Sequence, residues 1–155
     1  MTSRAVIRSD SPERTRRIGE ALGQALTAGD VVVLDGDLGA GKTTFTQGIA
    51  RGMRIEEPVT SPTFVVAREM SGGREGVGLL HVDAYRIHSL HEWDDLDVDL
   101  QTYATVIEWG ERVADALPAD RLEIRIIGEG DARTLSVESC GPRSAQLQAA
   151  MTESR

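Results

Sequence analysis

The sequence predicts an α/β domain with a mostly parallel sheet flanked by helices and extended by β-hairpins. Three observations lead there. Val31-Val32-Val33-Leu34 is a continuous apolar run, the pattern of a strand covered on both faces of a parallel sheet. The glycine-rich stretch Gly36 to Gly41 follows it at once and opens into a helical segment. Two later pairs of strand-like segments, the second pair alternating, are each joined by a Gly-rich turn, the mark of hairpins. No repeat or linker divides the chain, so residues 1–141 are expected as one domain and 142–155 as a C-terminal tail, helical or frayed.

Each element has a local reason. Ala5-Val6-Ile7 is a short first strand. Ser9, Asp10 and Ser11 offer capping oxygens, Pro12 suits the first helical turn, and Glu13 complements the helix dipole. Ile18, Leu22, Ala25 and Leu26 recur at helical spacing, predicting a helix from Pro12 to about Ala28, ended by Gly29. Thr43 to Gly52 continues as a second helix. Phe64 to Ala67 and Gly78 to Val82 are strands of a hairpin turning through Ser71 to Gly76. Ser89 to Asp95 is a short acidic helix, Ala104 to Ile107 a strand, and Glu111 to Leu117 a helix stopped by Pro118. Leu122 to Ile126 and Thr134 to Val137 alternate about a turn at Gly128 to Asp131.

Composition narrows the partners. At 155 residues and 40% hydrophobic the chain can bury a real core. No apolar run approaches the roughly 20 residues that cross a bilayer, and Met1 to Asp10 lacks the apolar centre of an export signal. The single Cys140 suits a reducing compartment, so a cytoplasmic protein is expected, with no membrane partner. A formal charge of −8 opposes tight nucleic-acid binding by the chain alone. Arg14, Arg16 and Arg17 are expected as a solvated helix face.

The spacing Gly36-x4-Gly41-Lys42-Thr43, between a buried strand and a helix, is the P-loop pattern. Glycines let successive N–H groups converge on an anion, and the helix N-terminus adds its dipole. Gly36, Asp37, Leu38, Gly39, Ala40, Gly41, Lys42, Thr43 and Thr44 are thus expected around the phosphates of ATP or a close relative. Lys42 would supply the mobile cation, and the Thr43 hydroxyl a ligand for Mg²⁺.

Such a site needs a carboxylate at the end of a neighbouring strand. Asp83 and Glu108 both end apolar runs, and ligands of α/β sheets gather at carboxyl ends of strands. One could hold the metal and the other the attacking water, and spacing does not divide the roles; either could also be a simple cap. Thr60, Ser61 and Thr63 form a Pro-bound loop fit either to sense a γ-phosphate or merely to connect. Trp109 is placed either to stack beside a nucleotide or to pack inward. His88, His91 and Glu92 fall short of a convergent zinc set. Asp94, Asp95, Asp97 and Asp99 lack the Gly and Glu of a calcium loop and suit a solvated or partner-facing edge.

Gly-Asp-Leu-Gly-Ala-Gly-Lys-Thr-Thr (36–44), Ser-Pro-Thr-Phe (61–64), His-Val-Asp-Ala-Tyr-Arg (81–86) and Ile-Glu-Trp (107–109) occur in the order and at spacings like those of one small family. The chain resembles the bacterial TsaE ATPases of tRNA threonylcarbamoyladenosine biosynthesis. The resemblance implies an ATPase that is weak alone and supports the protein complex transferring a threonylcarbamoyl group to N6 of adenosine 37. It implies Mg²⁺ at Thr43 and Glu108, an active-site carboxylate at Asp83, and base or sugar contacts from Ser11, Thr15 and Arg133. Gly52-Met53-Arg54 and Asp97 depart from the family pattern outside the phosphate site. Two other readings compete: a small-molecule kinase, against which stands the acidic stretch after Arg86, and a nucleotide-gated binding module with little turnover.

Overall fold

The computed structural model describes residues 2–37, 39–59 and 67–153. Its elements are β1 (Ser3–Ser9), α1 (Pro12–Ala25), β2 (Val31–Gly36), α2 (Lys42–Gly52), β3 (Ala67–Met70), β4 (Leu79–Asp83), α3 (Leu90–Asp95), β5 (Ala104–Glu108), β6 (Leu122–Glu129), β7 (Ala132–Ser139) and α4 (Pro142–Glu153). One seven-stranded sheet runs in the order β1-β7-β6-β2-β5-β4-β3. The expected α/β class is what forms. β6, β2, β5 and β4 make a parallel centre. Antiparallel pairs flank it on both sides, β7 and β1 at one edge and β3 at the other.

The apolar run 31–34 is β2, the strand that both faces of the domain cover. Val32 and Leu34 join the cluster under α1, α2 and α4, with Leu22, Phe45, Ile49 and Leu147. Val31 and Val33 join Leu80, Val82 and Ile107 on the opposite face, beneath Trp93 of α3 and Val113. Beyond β2 none of the described residues covers Val6 and Ile127 on that second face, and both are more than half exposed.

Helices α1 and α2 touch backbone to backbone. A Cβ on Gly19 or Gly23 would overlap the carbonyls of Phe45 or Ile49, and one on Gly48 or Gly52 those of Arg16 or Glu20. The glycines therefore let α1 clamp α2, the helix that follows the glycine loop.

Local ends differ from expectation for identifiable reasons. Ser11 caps α1 by accepting from the Arg14 N–H, with Pro12 in the first turn. The helix stops at Ala25, short of Ala28, because Asp30 Oδ2 accepts from the Thr27 N–H at 2.8 Å. Arg143 then clasps Asp30 and donates to the Ala25 carbonyl, tying α4 to this corner. Residues 110–116 form a 3₁₀ turn broken at Val113, not an α-helix. The last hairpin turns more tightly than expected, through Gly130 and Asp131 alone. α4 buries Leu147 and Met151 in the core, and its Gln148 amide donates to carbonyls of Ser3 and Val137. No helix among the described residues is long and apolar enough to cross a membrane.

Candidate active site

The glycine loop leaves β2 and enters α2 through backbone that side chains resist. Gly39 has φ 80° and Gly41 φ 105°, both left-handed. Gly41 is the residue before α2, and no side chain caps that helix. The first-turn N–H groups, which helices leave without internal partners, thus meet no side-chain cap among the described residues. Leu38 lies outside the described residues. Asp37 and Gly39 are exposed, Ala40 and Lys42 buried, and Thr43 and Thr44 half-buried.

Lys42 opens α2 and points into a buried polar centre. Its Nζ lies 3.8 Å from Glu108 Oε1, with both side chains 7% exposed. The same ammonium sits 4.3 Å from the centroid of the Trp109 ring. Glu108 ends β5, and its second oxygen, Oε2, lies 2.7 Å from His81 Nε2. Asp83 pairs in register with Glu108 across β4 and β5, so the two carboxylate residues sit side by side. Asp83 Oδ1 also accepts the Tyr85 N–H, a turn-forming contact that keeps Asp83 partly a cap.

Alternation explains why these groups meet. Leu79 belongs to the cluster under α2, whereas Leu80 and Val82 belong to the opposite face. His81 and Asp83 therefore share the α2 side of β4. On β5, Ala104 and Val106 mark the same side, four and two residues before Glu108.

Trp109 breaks the strand in a left-handed conformation, φ 61° and ψ 33°, rare for so bulky a residue. It is half-buried between the two readings the sequence left open. Its ring meets Tyr85 at 5.2 Å and 59°, and the Arg112 guanidinium lies 5.4 Å from the Tyr85 ring centroid. Tyr85 is 52% exposed, so this chain of contacts runs from Lys42 to the surface.

The residues suggested at the chain's two ends divide. Arg133 spans from the last hairpin to the glycine loop, donating from Nε to the Ala40 carbonyl at 2.7 Å and from a terminal nitrogen to Gly39 at 3.5 Å. Its other terminal nitrogen donates to Gly130 and Ala132. Arg133 also borders a cavity of about 760 Å³ whose lining mixes Arg8, Arg14 and Arg17 with Ser11, Asp10 and Glu13. Thr15 is buried behind it, its hydroxyl bonded to that of Ser9 at 2.8 Å. Arg16, expected on the same solvated face as Arg14 and Arg17, turns instead toward Gln47 and Glu13.

One acid has a shifted proton affinity. Burial pushes Asp35 from 3.8 to about 6, helped by Glu111 and Glu123 and opposed by Lys42 and Arg125. Asp35 was not a sequence candidate; only its place just before Gly36, in a strand otherwise apolar, could have drawn attention to it. His81 was legible only as part of a motif. The loop of Thr60, Ser61 and Thr63 lies outside the described residues, as do Phe64 to Val66.

The remaining candidates have ordinary partners. Glu92 accepts from the His88 N–H, and exposed His91 faces Asp95 at 3.8 Å. Asp99 is held below the usual carboxylate range by bonds from Thr102 and Gln101. Among the described residues only Glu123, Glu138 and Cys140 cluster like metal ligands. Arg121 and Arg4 already pair the two acids, and burial raises the thiol pKa.

Comparison with known proteins bears on this geometry. The family described as threonylcarbamoyl adenosine biosynthesis protein TsaE matches residues 9–135, the span from the end of β1 to the middle of β7. This chain belongs to the TsaE family. A Streptomyces coelicolor protein named tRNA threonylcarbamoyladenosine biosynthesis protein TsaE is 44% identical over 138 residues, 84% of this chain and 93% of the relative. A Bacillus subtilis protein of the same name is 38% identical over 144 residues, covering 90% of this chain and 89% of its own length. The crystal structure of Bacillus subtilis YdiB superposes with a TM-score of 0.81 at 32% identity, covering 99% of this chain and 97% of that one. The family match thus runs from the end of β1 into β7, and the likeness to YdiB extends over nearly the whole chain.

Proposed function

We propose that this TsaE-family chain is a Mg²⁺-dependent ATPase whose turnover serves the formation of N6-threonylcarbamoyladenosine in tRNA, in concert with the proteins that transfer the threonylcarbamoyl group. Family membership supports the biosynthetic role. The chemistry rests on one observation: Lys42, first residue of an uncapped helix after two left-handed glycines, lies buried 3.8 Å from the strand-end acid Glu108.

The residues suit the nucleotide and the ion. Loop N–H groups and Lys42 would hold the β- and γ-phosphates. The Thr43 hydroxyl, Asp83 and Glu108 are hard oxygen donors of the kind Mg²⁺ prefers. They would hold the ion, which when bound neutralises charge building on the transferred phosphoryl group. Lys42 must then exchange Glu108 for phosphate, which frees Glu108 Oε1. The Arg133 latch and the cavity it borders suit the sugar, base and α-phosphate end of the nucleotide.

ATP and ADP forms are proposed to bind the modifying complex with different affinity, hydrolysis resetting it between cycles. Lys42, Trp109 and exposed Tyr85 form a contact path by which phosphate occupancy reaches the surface. The test is phosphate release from ATP by the purified chain, alone and with its partners. Hydrolysis that depends on Mg²⁺ and disappears in Glu108→Gln is expected. Absence of hydrolysis under every condition, with ATP binding intact, would leave only a nucleotide-gated binding module.

A further inference from the structure

His81 sits at the centre of this site without touching the loop, and its own contact shows what it does. The imidazole is 1% exposed, in the middle of β4, between the apolar residues Leu79, Leu80 and Val82 and two places before Asp83. An apolar residue there would pack without desolvating a polar ring. Its Nε2 instead lies 2.7 Å from Glu108 Oε2. A carboxylate paired with the Lys42 ammonium accepts, and the imidazole tautomer that matches it is the one with the hydrogen on Nε2.

Glu108 has several rotatable bonds, and among the described residues its carboxylate is held by His81 at Oε2 and Lys42 at Oε1. Lys42 is the partner that a nucleotide takes away. Once it leaves, the bond from His81 is the one that remains on the carboxylate among the described residues, and it sets which oxygen faces the phosphates. We propose that His81 is a positioning residue: its Nε2–H holds Glu108 Oε2 so that Oε1 is presented to the metal and phosphate side after Lys42 departs. This inference rests on the ATPase reading, and deepens it by adding a residue to the machinery of hydrolysis.

Misplacing a reacting group by about an ångström costs up to roughly a hundredfold in rate. His81→Leu keeps the volume and removes the donor. It is expected to lower kcat for ATP hydrolysis at least tenfold, while KM for ATP stays within about threefold. His81→Gln, which restores an N–H at similar reach, is expected to recover kcat to within about threefold. His81→Asn is too short to reach and should behave as His81→Leu, which keeps the test intact if the leucine variant does not fold.

A readout independent of turnover is the imidazole N–H signal in nitrogen-edited NMR of the intact chain. Among three histidines, His81 alone should show a slowly exchanging Nε2–H. That signal should move in Glu108→Gln and persist when ATP and Mg²⁺ are added. Loss of the signal on adding ATP would overturn the proposal, because the bond would not survive into the loaded state. Normal kcat in His81→Leu with a dead Glu108→Gln would also overturn it, while leaving the ATPase reading standing. Equal losses in His81→Leu and His81→Gln, tracking lower Tm, would reduce His81 to a packing residue. Full hydrolysis by Glu108→Gln would sink the ATPase role of Glu108 itself, and this inference with it.

Discussion

Lys42 Nζ and Glu108 Oε1 stand 3.8 Å apart with both side chains buried, so the cation expected on phosphate is here held by the acid expected on metal. A charge left alone in such a place is costly, whereas a pair with further hydrogen bonds is tolerated. On the proposed ATPase reading the pair is a resting state that a nucleotide would replace, charge for charge.

The first prediction follows from that exchange. Lys42→Met should weaken Mg²⁺-ATP binding at least tenfold, about 1.4 kcal/mol or more, as measured by titration calorimetry. It should also destabilise the fold, by up to about 3–5 kcal/mol if Glu108 stays ionised. Adding Glu108→Gln removes the stranded charge, so the double variant should unfold at higher denaturant than Lys42→Met alone. A double variant less stable than either single one would contradict the coupling.

The second concerns the two strand-end acids. Asp83→Asn and Glu108→Gln keep shape and remove charge, and each should lower hydrolysis at least tenfold, about 1.4 kcal/mol of barrier, with nucleotide binding partly retained. The Tyr85 N–H bond to Asp83 survives in an amide, since its oxygen still accepts. Normal phosphate release by both variants would make the acids caps.

Trp109 gives an optical test. Its ring carries the Lys42 ammonium at 4.3 Å, and moving that charge to phosphate changes the field at the indole. Mg²⁺-ATP should therefore shift Trp109 emission. Trp93 is buried under the opposite face and should respond little. A nucleotide-dependent change that survives in Trp109→Phe would refute the assignment.

Much of this was legible in sequence because the signals are local. The apolar run 31–34, the glycine spacing and the acids ending β4 and β5 each depend on a few neighbouring residues. What escaped depends on distant ones. Nothing near Arg133 announces that it will bond Ala40, 93 residues away. The place of β6 beside β2, with β7 and β1 antiparallel beyond it, is set by sheet pairing and not by any pattern within the strands. His81 looked like one polar residue in an apolar strand until β5 brought Glu108 to it. The 3₁₀ turn after Trp109 arises where a left-handed residue redirects the chain, although 111–117 has helical spacing.

Asp35 predicts a pH effect. Its folded-state pKa of about 6 exceeds the ordinary 3.8, so the folded protein binds this proton more tightly than the unfolded chain. Its contribution is fully present below about 3.8 and is lost as pH rises through about 6. Asp35→Asn, which stays neutral, should gain stability relative to the parent between those pH values and keep a constant advantage above them. Thermal melts across pH 4 to 8 test this. A constant difference over the whole range would contradict it.

The most direct test of the whole account joins turnover to the tRNA product. Cells whose only copy of this chain carries Glu108→Gln, shown separately to bind ATP without hydrolysing it, should accumulate tRNA lacking N6-threonylcarbamoyladenosine, measured by mass spectrometry of digested tRNA. Full modification in those cells at normal protein levels would contradict the claim that hydrolysis at Lys42 and Glu108 serves the modification.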